Sequence, residues 1–420
     1  MLFNSNAFLF FFLPSTILLF YIFRHRLSIE IAITALFVAS LFFYAWWDPR
    51  FLPLLFLSII FNFAISIHIG RSRYTYLLLT LGVIFNLSLI GIFKYADFFI
   101  SSLGTITGYE FSYIGVVLPI GISFYTFQQI AYLVDRSKTT EQFPPKFSHY
   151  GLFVSFFPQL IAGPIVHHSE MMRQFDSPLP PRRAAPLAAV GLLIFIVGLA
   201  KKTLIADPLG EVASPIFAQA DAGQPINFFN AWMAATAYTF QIYFDFSGYS
   251  EMAIGIANMF GIRLPVNFFS PYQATSIIDF WRRWHMTLSR FLRDYLYIPL
   301  GGGYHGEPRR NVNLLTVMLL GGLWHGAAWN FVLWGALHGF YLIINHVWRQ
   351  VTTGLPKMQR SMVWLGWPLT FFSVLVAWVL FRAETFEGAL TIYRAMFGFE
   401  GLALPLEFAP ILASLGLNET

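Results

Sequence analysis

Apolar runs close to the length needed to cross a bilayer recur along almost the whole chain. About 20 residues suffice for one helical crossing, and eleven runs approach that length. They are Ala7–Phe23, Ile31–Trp47, Phe51–Ile69, Tyr76–Phe93, Ile114–Val134, Tyr150–Val166, Leu187–Ala206, Phe228–Phe244, Leu314–Trp329, Phe331–Trp348 and Met362–Phe381. Charged residues are only 11% of the 420, apolar residues reach 57%, and phenylalanine alone fills 48 positions. A single water-soluble core cannot hide that much apolar surface, so lipid is the expected solvent. The expected fold class is all-α: a polytopic integral membrane protein with about eleven transmembrane helices. Short amphipathic or re-entrant helices are expected beside them.

The basic loops orient the spans. Arg24 and Arg26 follow the first, Arg71 and Arg73 the third, and Arg136, Lys138 and Lys146 the fifth. Asp48 nearly cancels Arg50 after the second, and Asp97 nearly cancels Lys94 after the fourth. The positive-inside rule therefore places the N-terminus outside and the odd-numbered loops in the cytoplasm. The first run lacks a basic region before it and a small-residue cleavage site after it, so it reads as a retained helix rather than a signal peptide. No repeat, low-complexity tract or long linker divides the chain, and residues 1–420 are expected to form one domain. "APILASLGL" before Thr420 looks like the start of a further span, as in a truncated chain.

The chain has no cysteine, which removes disulfides, thiolate metal sites and a cysteine-borne acyl intermediate. No metal site is expected. The net charge of +5 is small for this length and points to cytoplasmic loops or an anionic ligand, not to nucleic acid.

Three polar islands interrupt the apolar pattern. In "YFDFSGYSEMA", Asp245, Ser247, Tyr249, Ser250 and Glu251 directly follow an apolar run. They read either as a solvated helix end or as groups facing a wet interior, because ionisable side chains near lipid are costly. In "DFWRRWHMTLSRFLRDYLYIPLGGG", helical spacing places Arg282, His285, Ser289 and Arg293 on one face and Trp284, Leu288, Phe291 and Tyr295 on another. An interfacial helix snorkelling its arginines explains that pattern, and so does a basic, aromatic-lined platform for a phosphorylated ligand.

The third island is "GGLWHGAAWNFVLWGALHG". Gly322 and Gly326 are four apart, as are Gly335 and Gly339, a spacing that lets helix backbones approach closely in lipid. His325 and His338 each precede the second glycine of a pair. Either is a packing residue or a proton-transfer group. Thirteen residues of one straight helix would set the two rings roughly 140° apart, so only one of them would face a given cavity.

These segments, together with "LPIGISFYTFQQIAYLVD", "FFPQLIAGPI" and "QIYFDFSGYSEMAIG", carry a resemblance. In order along the chain they are similar to the membrane-bound O-acyltransferase (MBOAT) family, nearest to its bacterial branch of polysaccharide O-acetylation proteins and teichoic acid D-alanine transferases. The family's invariant histidine lies in a "WHG" segment, which maps onto His325, and its second polar residue maps onto His285 in "RRWHM". His338 is then expected to be a packing or supporting residue.

The resemblance implies acyl transfer from a thioester, acetyl-CoA in the simplest case, to a hydroxyl. His325 would act as general base, with donors for the oxyanion from His285, Trp329 or Asn330. Arg282, Arg293, Ser289, Trp324, Asp245 and Tyr249 are the expected substrate- or donor-contacting residues. The expected acceptor is an extracytoplasmic polysaccharide, with a periplasmic or surface acetyltransferase as partner and the bacterial inner membrane as location. D-alanyl, protein or lipid acylation is the alternative within the family. A proton-coupled transporter is the alternative outside it, and the sequence lacks the paired inverted repeats many transporters show.

Overall fold

The computed structural model describes residues 1–69, 72–138, 146–161, 163–176 and 181–402. Arg71, one of the orienting charges, and the segment 403–420 lie outside the described residues. Among the described residues every regular element is helical. Six helices are long and apolar enough to cross a membrane: Phe8–Arg26, Pro49–His68, Thr75–Thr107, Ala185–Asp221, Trp329–Val351 and Trp364–Arg382, with Ile29–Ala45 shorter but equally apolar. Each overlaps one of the runs read from the sequence. The chain is a multi-pass membrane protein.

The other runs fold differently, and the differences are local and physical. The Ile114–Val134 run becomes helical only at Ile122, and that helix continues to Lys138. The Tyr150–Val166 run is broken: the helix Phe147–Ser155 has nine residues and stops where Phe156 turns to ψ 109° ahead of Pro158. Nine residues rise about 13 Å, less than half a hydrocarbon core. Its residues from Tyr150 to Leu160 are buried in protein, the condition under which broken backbone survives at membrane depth. The run at Phe228 does not stop at Phe244 either. Its helix continues through Asp245 and Ser250 to Met259, so the first polar island is the middle of a 32-residue helix and not a solvated end.

The described chain divides into two compact units. One comprises Met1–Leu199 and Gly248–Asn267. Its core is aromatic, with Phe8, Phe12, Phe43 and Phe157 in mutual ring contact. Buried amides tie its helices together: Asn86 Nδ2 donates to Asn62 Oδ1 at 2.6 Å, and Gln129 Nε2 to Ser58 Oγ at 2.9 Å. Such bonds join helices where lipid supplies no hydrophobic drive to associate. Two apolar grooves of about 900 and 790 Å³ flank the first helix and lie wholly in this unit.

The second unit comprises Ala200–Ser247 and residues from Phe268 onward. It is centred on a hairpin of Glu307–His325 and Trp329–Val351. The helices run antiparallel, with Gly322 against Gly335 and Gly339 against Leu315. A Cβ on Gly335 would overlap the Met318 carbonyl, and one on Gly322 the Phe331 carbonyl. Only glycine fits there. Tyr272 binds the surrounding helices: its hydroxyl donates to the Thr239 carbonyl at 2.6 Å and accepts from Trp378 Nε1 at 3.0 Å.

Candidate active site

The hairpin corrects the straight-helix expectation for the two histidines. His325 is the last residue of Glu307–His325, Gly326 leaves the helix at φ −162°, and Trp329 starts the next helix. His325 and His338 therefore belong to opposing helices, and a straight-helix angle does not describe them.

The single face expected for Arg282, His285, Ser289 and Arg293 does not form. Ser276 caps a five-residue helix, Ile277–Trp281, and a second helix begins at Met286. Between them His285 takes φ 42°, ψ 53°. Left-handed backbone is uncommon outside glycine, costs of order 1 kcal/mol, and concentrates at functional sites. It breaks the helix and turns the imidazole inward. His285 is 1% exposed. Its ring meets Phe246 edge-on at 4.7 Å and lies 6.2 Å from the ring of Trp324. Burial pushes the imidazole down to about 3, so it is neutral.

Trp324 also borders the other histidine, with its ring 4.9 Å from that of His325. Trp334 at 5.2 Å and Phe381 at 5.0 Å complete an aromatic wall around His325. Unlike His285 and His338, His325 is only partly buried. A reachable imidazole with a dry aromatic surround can take a proton from a hydroxyl and pass it on. The sequence singled out Trp324 but not Phe381, Trp334 or Phe246, because aromatics in apolar runs carry no local signal separating wall from core.

His338 is fully buried, and its Nδ1 accepts from Trp281 Nε1 at 3.3 Å. Asn330 is also buried, and its Nδ2 donates to the Ala383 carbonyl at 2.9 Å, while Trp329 is exposed. Ser289 Oγ donates to the Trp284 carbonyl at 3.4 Å. Arg282 is exposed, and Arg293 grips Asp294 through Nε at 2.7 Å and a second nitrogen at 3.2 Å. Asp245 pairs with Lys202 at 2.7 Å, and Lys202 also reaches Asp207 at 2.7 Å. Tyr249 belongs to the first unit, stacked on Phe3 at 4.8 Å. Within the second unit the structure thus groups His325, His285 and Trp324.

A profile of the membrane-bound O-acyltransferase family matches residues 136–384, which contain His285, His325, His338 and Phe381. The chain belongs to this family. The peptidoglycan O-acetyltransferase of Helicobacter pylori is 44% identical over 436 aligned positions, covering 96% of this chain and 81% of that protein. The protein named "Probable alginate O-acetylase AlgI" in Azotobacter vinelandii is 42% identical over 407, covering 95% and 78%. More distantly, the teichoic acid D-alanyltransferase of Streptococcus thermophilus is 26% identical over 283, covering 62% and 68%. The chain is an O-acyltransferase.

Proposed function

We propose that this O-acyltransferase moves an acetyl group from a cytoplasmic thioester, acetyl-CoA in the simplest case, to a hydroxyl of an extracytoplasmic polysaccharide or to a partner acetyltransferase that completes the transfer. The inner membrane is its location, with the N-terminus outside. The observation that carries the chemistry is the position of His325: of His285, His325 and His338 it alone is partly exposed, at a helix end walled by Trp324, Trp334 and Phe381. His325 takes the proton as the acceptor oxygen attacks the thioester carbon. The C–S bond breaks, and the proton passes to the departing thiolate. Neutral His285 is assigned to the oxyanion. With no cysteine in the chain, direct transfer needs no thiol-borne acyl-enzyme.

The acetyl and polysaccharide assignments are supported by the names of the more similar relatives, an acetyltransferase of peptidoglycan and a probable acetylase of alginate. The purified protein, reconstituted with labelled acetyl-CoA and either peptidoglycan-type or alginate-type oligosaccharides, should form an alkali-labile acetyl ester on one of them. Transfer of D-alanine but not acetate would contradict it.

A further inference from the structure

Arg382 closes the helix Trp364–Arg382, one residue after Phe381, whose ring lies 5.0 Å from that of His325. Asn330 pins the residue on its other side by donating to the Ala383 carbonyl at 2.9 Å. Arg382 is thus fixed between two contacts to the helix pair that carries His325. Its own side chain lays the guanidinium over the rings of Phe217 and Tyr238, at 5.4 and 5.9 Å. Aromatic faces hold a guanidinium and leave its N–H edge open. Among the described residues no ion pair or hydrogen bond engages that edge. Asp221, the acid at the same corner, is already spent: it accepts from the backbone N–H groups of Glu384 and Thr385 at 3.1 and 2.9 Å and from Thr385 Oγ1 at 3.0 Å. A guanidinium held in place and unpaired matches a carboxylate bidentately.

The helix Phe228–Met259 extends this spot into a polar strip. Tyr238, Gln241 and Asp245 stand at i, i+3 and i+7 on one face. Tyr238 lies within electrostatic reach of both Arg382 and Asp245. Gln241 Oε1 is buried and accepts from no donor among the described residues. Gly210 makes room for that amide, since a Cβ there would meet Gln241 Nε2. Asp245 pairs with Lys202 at 2.7 Å, yet its side chain stays 47% exposed. Charged groups midway along helices of a membrane protein face protein or water rather than lipid, so the strip borders a wet cleft. Phenol, amide and carboxylate beside an aromatic ring suit the hydroxyls of a sugar. Asp245 and the exposed Glu384 would repel a polyphosphate, whereas a sugar with one acid group meets Arg382.

We propose that Arg382 binds the carboxylate of an acidic sugar acceptor, with Tyr238 and Gln241 on its hydroxyls, and so selects acidic over neutral polysaccharide. A uronate carboxyl and the lactyl carboxyl of muramic acid share this chemistry. Arg382 binds and positions the acceptor and takes no proton from it. The inference rests on the polysaccharide reading of the acceptor and adds the charge that the sugar must carry.

The test uses the whole purified protein with a short alginate-type oligouronate and a peptidoglycan-type muramic acid disaccharide, each as the free acid and as its neutral methyl ester. By calorimetry, wild type should bind one of the acids about ten- to hundred-fold more tightly than its ester, the range of one charge-assisted pair. Which acid shows the preference separates uronate from muramate. Arg382→Gln should erase it by raising the KM for the acid by the same factor, with kcat falling far less and the KM for acetyl-CoA unmoved. Arg382→Lys should be intermediate, because an ammonium keeps the charge and loses the fork. Equal loss with acid and ester would reduce Arg382 to a clamp on Phe217 and Tyr238 and overturn the proposal. So would a raised KM for acetyl-CoA, or a wild type that treats acid and ester alike, a comparison that needs no variant to fold. Acetate passed only to a partner protein, with neither acid bound, would overturn it as well. Acid-selective binding without any acetyl transfer would leave the carboxylate site standing and remove the acetyl-transfer reading alone.

Discussion

The indole N–H of the half-buried Trp281 donates to Nδ1 of the fully buried His338 across 3.3 Å. An imidazole that accepts at Nδ1 carries its proton on Nε2, so the bond fixes the tautomer. It also ties the short helix Ile277–Trp281 to Trp329–Val351. His338→Ala should lower the melting temperature by several degrees, through a lost bond and a cavity worth about 2–4 kcal/mol. The folded fraction, measured per molecule, should keep most of its transfer activity. Lost activity at unchanged melting temperature would instead place His338 in the chemistry.

Gly335→Ala is expected to be more damaging than its one added carbon implies. Its Cβ would meet the Met318 carbonyl, which is backbone and cannot rotate aside, so the hairpin must separate. Overpacking of this kind costs about 1–3 kcal/mol or more. Gly354→Ala has open space but φ 86°, so it should cost only backbone strain. Thermal unfolding of the two variants checks the order.

His285 offers a separation of strain from function. At φ 42° glycine relieves the backbone penalty, so His285→Gly should be more stable than His285→Ala by about 1 kcal/mol. Both should lose most transfer activity, because both lack the imidazole. Comparable activity in either variant and wild type would remove His285 from the reaction.

The six long spans were legible because hydropathy over about 20 residues answers to bilayer thickness alone. The Tyr150–Val166 run was not, because burial in protein needs apolar residues just as lipid does, and only its Gly and Pro residues, Pro158 and Pro164 among them, hinted at the break. His325 and its neighbour Trp324 stood out in the sequence as polar and aromatic groups in a glycine-spaced segment. The kink at His285 did not, since arginine and tryptophan spacing through "WRRWHMTLSR" fits an unbroken helix and nothing local announces a left-handed histidine. Long-range partners such as Phe381 with His325 come only from tertiary packing.

Orientation is open to a direct check with fused reporters. A reporter after Asp48–Arg50 should report the outside, and one after Arg73 the cytoplasm. One in the loop before Glu307 should also report the cytoplasm, if the buried Phe147–Ser155 helix makes no crossing. An external signal at that loop would put the Glu307 end of the hairpin on the acceptor side.

The most direct measurement concerns His325. His325→Gln keeps much of the size and hydrogen bonding of the ring but cannot accept a proton near neutral pH. Labelled acetyl transfer by a purified, well-folded His325→Gln protein should fall by about 10²–10⁴-fold, the range of general-base catalysis, with little change in melting temperature. A near wild-type rate in that variant would contradict the assignment of His325 as the base.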